Sequence, residues 1–217
     1  MHSLTRRHLG LAAGMATAVA LTAGAMISFS ADAAPTVEAG AAAPSFTEVT
    51  TASGETISLS DFTGKTVVLE WTNHDCPFVK KHYAEPPKNM QTLQADALAD
   101  DVVWLQVISS AEGKQGYLEG TAAVAKNTER GATATHTILD PTGTLGKAYE
   151  AKTTPHMYVI NAAGTLAYAG AIDSIRSARV SDIAKATNYV TAALEAVAAD
   201  TLPEVATSKP YGCSVKY

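Results

Sequence analysis

The sequence predicts an α/β domain: a central mixed β-sheet flanked by helices, with a β-hairpin added at its N-terminal end. Three observations carry this. The apolar runs at residues 66–71 and 102–108 have the length and β-branched content of buried strands. Helical patterns lie between the strand candidates, and strands alternating with helices build a sheet covered on its faces. Two later apolar runs, 157–160 and 166–169, are joined by Asn161-Ala162-Ala163-Gly164, a turn that folds them into an antiparallel hairpin and makes the sheet mixed.

The elements follow in order. Thr5-Arg6-Arg7-His8-Leu9 precedes a long Ala/Gly-rich apolar run, and Ala31-Asp32-Ala33 then supplies small residues at a cleavage position. Residues 1–33 are expected to be a secretory signal, similar to a twin-arginine signal, cut before Ala34. The alternative is an uncleaved membrane anchor. Residues 34–45 are expected to be a flexible leader. Residues 46–59 alternate around Ser53-Gly54 as a hairpin. A helix opens at Pro77, is interrupted at Pro86-Pro87, and resumes from Lys88 to about Ala99. Residues 117–129 form a further helix, 137–139 a short strand, and Asp140-Pro141-Thr142-Gly143 a turn before a short helix at 144–150. Ser181-Asp182 is expected to cap the last helix, which runs to about Ala199. The domain thus spans 46–200, and 201–217 is a tail carrying Cys213.

Without residues 1–33 the chain has 14 basic and 20 acidic side chains. A mildly acidic domain has no electrostatic footprint for nucleic acid. No later stretch is apolar enough to span a membrane. The protein is expected to be exported, to the periplasm or the extracellular space.

The chemistry centres on Cys76. It ends the run Val67-Val68-Leu69-Glu70-Trp71-Thr72-Asn73-His74-Asp75, and Pro77 follows it. A strand, a short polar loop and Cys-Pro opening a helix place the sulfur beside unpaired N–H groups and the positive end of the helix dipole. Such a site favours the thiolate, the nucleophilic form. The second cysteine, Cys213, lies almost at the C-terminus. It pairs with Cys76, pairs between subunits, or stays free; spacing does not decide among these.

Four segments resemble the redoxin, peroxiredoxin-like branch of the thioredoxin superfamily. They are Leu59-Ser60-Asp61-Phe62-Thr63-Gly64-Lys65, the run from Trp71 to Lys81, Thr153-Thr154-Pro155-His156-Met157-Tyr158-Val159-Ile160, and Gly164-Thr165-Leu166-Ala167-Tyr168-Ala169-Gly170-Ala171-Ile172-Asp173. The resemblance implies a thioredoxin-like fold over roughly residues 44–200. It implies a redox nucleophile at Cys76 and a cis peptide bond before Pro155. Thr154, Pro155 and Trp71 would form the substrate groove. Two departures stand out. No cysteine precedes Cys76 to complete a C-x-x-C pair, and Asn73 occupies the position where peroxiredoxins carry threonine.

The resemblance therefore implies a thiol oxidoreductase that reduces a disulfide or a peroxide, with an external thiol reductant and Cys213 as the candidate resolving thiol. His74, Asn73 and Arg176 are the possible modulators of the sulfur. His82 reads as a surface histidine. No cofactor and no metal is expected, although Cys76 with nearby histidines has the donor chemistry for copper or zinc. The alternatives are a peroxiredoxin-like antioxidant with an external reductant, or a non-enzymatic binding or metal-handling protein on the same scaffold. Thiol acidity, hyperoxidation of Cys76 and retained metal would separate them.

Overall fold

A computed structural model describes residues 37–217. The signal reading of residues 1–33 lies outside the described residues. The domain is built on a five-stranded mixed sheet. In chain order the elements are β1 (Val49–Thr50), β2 (Thr56–Ile57), β3 (Val67–Trp71), α1 (Pro77–Tyr83), α2 (Asn89–Ala99), β4 (Val103–Ile108), α3 (Gly120–Glu129), β5 (His136–Leu139), α4 (Thr144–Ala148), β6 (Thr153–Thr154), β7 (His156–Ile160), β8 (Leu166–Gly170), α5 (Tyr189–Ala198) and β9 (Cys213–Ser214). The central sheet has the order β5-β4-β3-β7-β8. Strand β3 runs parallel to β4, β4 runs parallel to β5, and β7 is antiparallel to both β3 and β8. The N-terminal hairpin is β1 against β2.

Strand periodicity sorts the core onto two faces. Val68, Trp104, Met157 and Val159 join Cys76, Met90, Leu93 and Val190 on one face. Val67, Leu69, Trp71, Leu105 and Tyr158 join Leu145 and Tyr149 on the other. The central strands are buried on both faces, so they read as continuous apolar runs rather than alternating ones.

One expectation changes. The last α-helix starts at Tyr189, not after Ser181-Asp182. Asn188 caps it, its side-chain oxygen accepting from the Val190 and Thr191 N–H groups at 3.0 and 3.1 Å. Asp182 is spent on the Ser177 hydroxyl and Arg179 within a 3-10 segment, Val180–Lys185. Residues 37–45, the described part of the expected leader, run beside the β7–β8 turn. Gly40 and Ala43 donate to Leu166 and Gly164, and Ala41 accepts from Leu166, along the β7–β8 turn.

Candidate active site

Cys76 is the N-cap residue of α1, with Pro77 at the first helical position. Its carbonyl accepts from Val79 and Lys80 at 3.0 and 2.9 Å. Asn73 shapes the loop before it. Its side-chain oxygen accepts from the Asp75 N–H at 2.9 Å, and its carbonyl accepts from the Cys76 N–H at 3.0 Å. Its amide donates to the Gln115 carbonyl at 3.2 Å. Gly116 makes room for it: a Cβ there would lie 2.4 Å from Asn73 Cγ. Asn73 therefore fixes the loop rather than touching the sulfur.

Two segments converge on the Cys76 side chain, which is fully buried. As a thiol it donates to the Thr154 carbonyl at 3.1 Å. The Thr154–Pro155 bond is cis. The second segment is the tail. Strand β9 pairs antiparallel with β6, setting Cys213 opposite Thr154 and Ser214 opposite Thr153. The Cys213 N–H then points at the Cys76 sulfur from 3.4 Å. Both cysteines are free thiols, and Cys213 is half-buried.

The electrostatics of the two sulfurs diverge. Burial alone would push the Cys76 thiol up. Hydrogen bonds from the Cys213 thiol, the Cys213 and Val79 N–H groups and the Thr154 side chain outweigh it and hold Cys76 below the ordinary thiol value. Cys213 is pushed up to about 11, by burial first and then by its hydrogen bond to Cys76 and the charge there. The pair is thus asymmetric, with Cys76 the more acidic thiol. Asp75 does not oppose this, because its side chain is exposed and turns toward His74 and Lys80.

The remaining candidates separate. Trp71 is not in the groove. Strand alternation sends it to the sheet face opposite Cys76, where it is fully buried against Tyr149 and Tyr158 and donates to the Ser109 hydroxyl at 2.9 Å. Arg176 is exposed and, among the described residues, makes no hydrogen bond or ion pair. The arginine that reaches the loop is Arg130, which lies over the Tyr83 ring at 4.1 Å and donates to the Thr72 hydroxyl at 3.4 Å. His74 borders a cleft of about 280 Å³ with Val79, Tyr83, Lys126 and Arg130. Burial holds its pKa below the usual value, with Asp75 opposing and Lys126, Arg130 and Lys80 adding to the depression. His156 lies on the Trp71 face, beside Tyr158.

Two buried polar clusters escaped sequence reasoning. Glu70, on the Cys76 face of β3, accepts from the Tyr83 hydroxyl, Gln94, Trp104 Nε1 and Gln106. Its place in an apolar strand was the available signal. The second cluster ties down the tail. Lys81 Nζ, fully buried, meets Asp173 at 2.8 Å and Tyr211 Oη at 3.3 Å, and the Tyr211 hydroxyl donates to Asp173. His82, taken for a surface residue, is fully buried here because α1 packs this face inward; its Nδ1 meets Asn89 at 2.9 Å.

The fold and site define a class: a thioredoxin-like domain with a cysteine capping a helix, opposite a cis-proline. The chain belongs to the redoxin family, whose profile matches residues 38–187. The fold is similar to that of an uncharacterised conserved protein from Geobacillus kaustophilus, with 24% identity, a TM-score of 0.69, and 84% of this chain and 93% of that one covered. It is also similar to a hypothetical protein from Sinorhizobium meliloti 1021, with 19% identity, a TM-score of 0.69, and 84% and 96% covered. No curated protein shows significant sequence similarity to the chain.

Proposed function

We propose that this redoxin is a thiol oxidoreductase that cycles between a dithiol and a Cys76–Cys213 disulfide within one chain. Cys76 is the nucleophile that meets the oxidising substrate. Cys213 resolves the product by forming the disulfide, and an external thiol reductant restores both thiols. The observation that carries this reading is the seating of Cys213 opposite Thr154, with its N–H on the Cys76 sulfur. A tail cysteine held there supplies the second sulfur that the sequence lacks beside Cys76.

Acidity supports the division of labour. The more acidic thiol is ionised first, and it is also the better leaving group when the disulfide is reduced. Cys76 fits both roles. The signal-like pattern of residues 1–33 supports work outside the cytoplasm, where disulfides persist and reducing equivalents must be delivered by a partner.

The test is dithiol-dependent turnover of hydrogen peroxide and of a disulfide by the full domain and its Cys76→Ser and Cys213→Ser variants. Turnover lost in Cys76→Ser, and stalled after one oxidation in Cys213→Ser, is the expected result. Unchanged turnover in Cys76→Ser would contradict the assignment.

A further inference from the structure

The end of the sheet remote from Cys76 carries a second feature. Cys76 follows the C-terminal end of β3 through the loop at 72–75. At the opposite end, Thr66 precedes β3 and Val102 precedes β4. A groove of about 810 Å³ opens there between α2 and α5. Leu93 and Ala97 of α2, Leu194 and Val197 of α5, and Val102 between them give it apolar walls. A second cleft, of about 390 Å³, shares Thr66 and Val197 with the groove and reaches the exposed Leu202. Together they make one elongated trough.

Its rim is acidic. Asp96, Asp100 and Glu195 line the groove, and Asp200 lines the adjoining cleft. Among the described residues, no lysine, arginine or histidine lines either, and none of these four carboxylates is in an ion pair. Lys65, next to Thr66, is held by Asp101 at 2.6 Å. Both helices also end here, α2 at Ala99 and α5 at Ala198. A helix C-terminus carries partial negative charge, which a basic side chain in the last turn offsets. Neither last turn holds one. Two dipole ends and four carboxylates therefore surround an apolar floor without a compensating cation.

Each of these observations restricts the occupant. Negative charge repels nucleic acid and anionic lipid and attracts cations. Apolar walls call for apolar side chains beside those cations. The length of the trough suits a chain segment better than a small ion. An extended segment lying on apolar walls would leave backbone groups unpaired, whereas a helix pairs its own. We propose that this groove docks a basic amphipathic helix of a partner protein. Its apolar residues, at i, i+3, i+4 and i+7, seat between α2 and α5, and its lysines or arginines lie over Asp96, Asp100 and Glu195. The site does not rest on the two-cysteine reading, and a partner held there leaves Cys76 and the tail uncovered.

The experiment is fluorescence anisotropy of a labelled synthetic peptide titrated with the full chain. The peptide carries leucines at the helical spacing above and lysines elsewhere. It is compared with a glutamate-for-lysine peptide and with one whose leucines are scrambled. The amphipathic lysine peptide is expected to bind about tenfold or more tightly than either, and to loosen with added salt. Asp96→Asn/Asp100→Asn/Glu195→Gln removes the rim charge. Ala198→Trp fills the groove from an exposed position and keeps the charge. Each is expected to weaken binding about tenfold or more. Glu48→Gln/Glu112→Gln/Glu119→Gln removes the same charge from exposed positions elsewhere and should bind as the parent does. Ala99→Trp is the second filling variant if Ala198→Trp does not fold. Equal weakening in the distant triple variant, or parent-like binding in the filled variants, would mean attraction to overall charge and overturn the groove. Equal binding of the three peptides, or of none, overturns the amphipathic helix. Binding by residues 34–217 but not by the full chain would put residues 1–33 in the groove and overturn the partner protein. A dimer in light scattering that Ala198→Trp dissociates would put a second copy there, with the same consequence.

Discussion

Cys213 stands opposite Thr154 in a two-stranded antiparallel ladder, and its N–H points at the Cys76 sulfur from 3.4 Å. The tail thus supplies two of the hydrogen bonds that offset the burial of Cys76, one from the Cys213 backbone and one from its thiol. Cys213→Ala removes the thiol donor and keeps the backbone. The Cys76 pKa is expected to rise, read as a higher midpoint for thiolate ultraviolet absorbance. An unmoved midpoint would mean that Cys213 does not tune Cys76.

Tyr211 anchors the tail through Asp173, beside the buried Lys81. Tyr211→Phe keeps the ring against Phe78 but leaves Asp173 one donor short. Losing a buried hydrogen bond to a charged group costs about 1–3 kcal/mol. The melting temperature should fall, and Cys76 should react faster with iodoacetamide than in the parent. A lower melting temperature with unchanged alkylation would separate the anchor from the shielding of Cys76.

Trp71 tests the assignment of faces. Truncating a buried tryptophan costs about 3–5 kcal/mol. Trp71→Ala is expected to show that loss in urea unfolding. In Trp71→Phe, which retains most of the packing, the reactivity of Cys76 with peroxide should match the parent. A selective loss of peroxide reactivity in a stable Trp71→Phe would return this residue to the groove.

The two buried histidines make the fold acid-sensitive. Burial holds His82 down to about 4, with Lys81 adding and Asp173 opposing, and holds His156 down to about 3, with Lys152 adding. The unfolded chain takes up these protons near pH 6.5. The folded values lie lower, so the stability these neutral rings allow is fully present above about 6.5 and falls as pH drops toward 4 and then 3. Urea midpoints should decline from pH 7 to pH 5. A flat profile over that interval would contradict the burial of these rings.

Much of the fold was legible because it is written locally. The strand runs at 66–71 and 102–108, the break at Pro86-Pro87 and the turn at 161–164 each carry their own signal. Cys76 was legible for the same reason, since loop, Cys-Pro and helix are contiguous. What was not legible depends on partners distant in sequence. Asn188 capped the last helix, and Ser181-Asp182 did not, because Asp182 was drawn to Ser177 and Arg179. Trp71 was misplaced although strand alternation fixes its face, since the side on which Cys76 would pack was unknown. Arg176 is the arginine expected to modulate the sulfur, but Arg130 is the one that reaches the loop, from the end of α3. The Lys81–Asp173–Tyr211 cluster joins three elements up to 130 residues apart, which no local pattern records.

The most direct test of the account is a disulfide map of the full domain after stoichiometric hydrogen peroxide. The account predicts a Cys76–Cys213 bond within one chain, formed with loss of two hydrogens and reversed by a dithiol. A Cys76 that remains a free thiol, or that proceeds to sulfinic acid while Cys213 stays reduced, would contradict it.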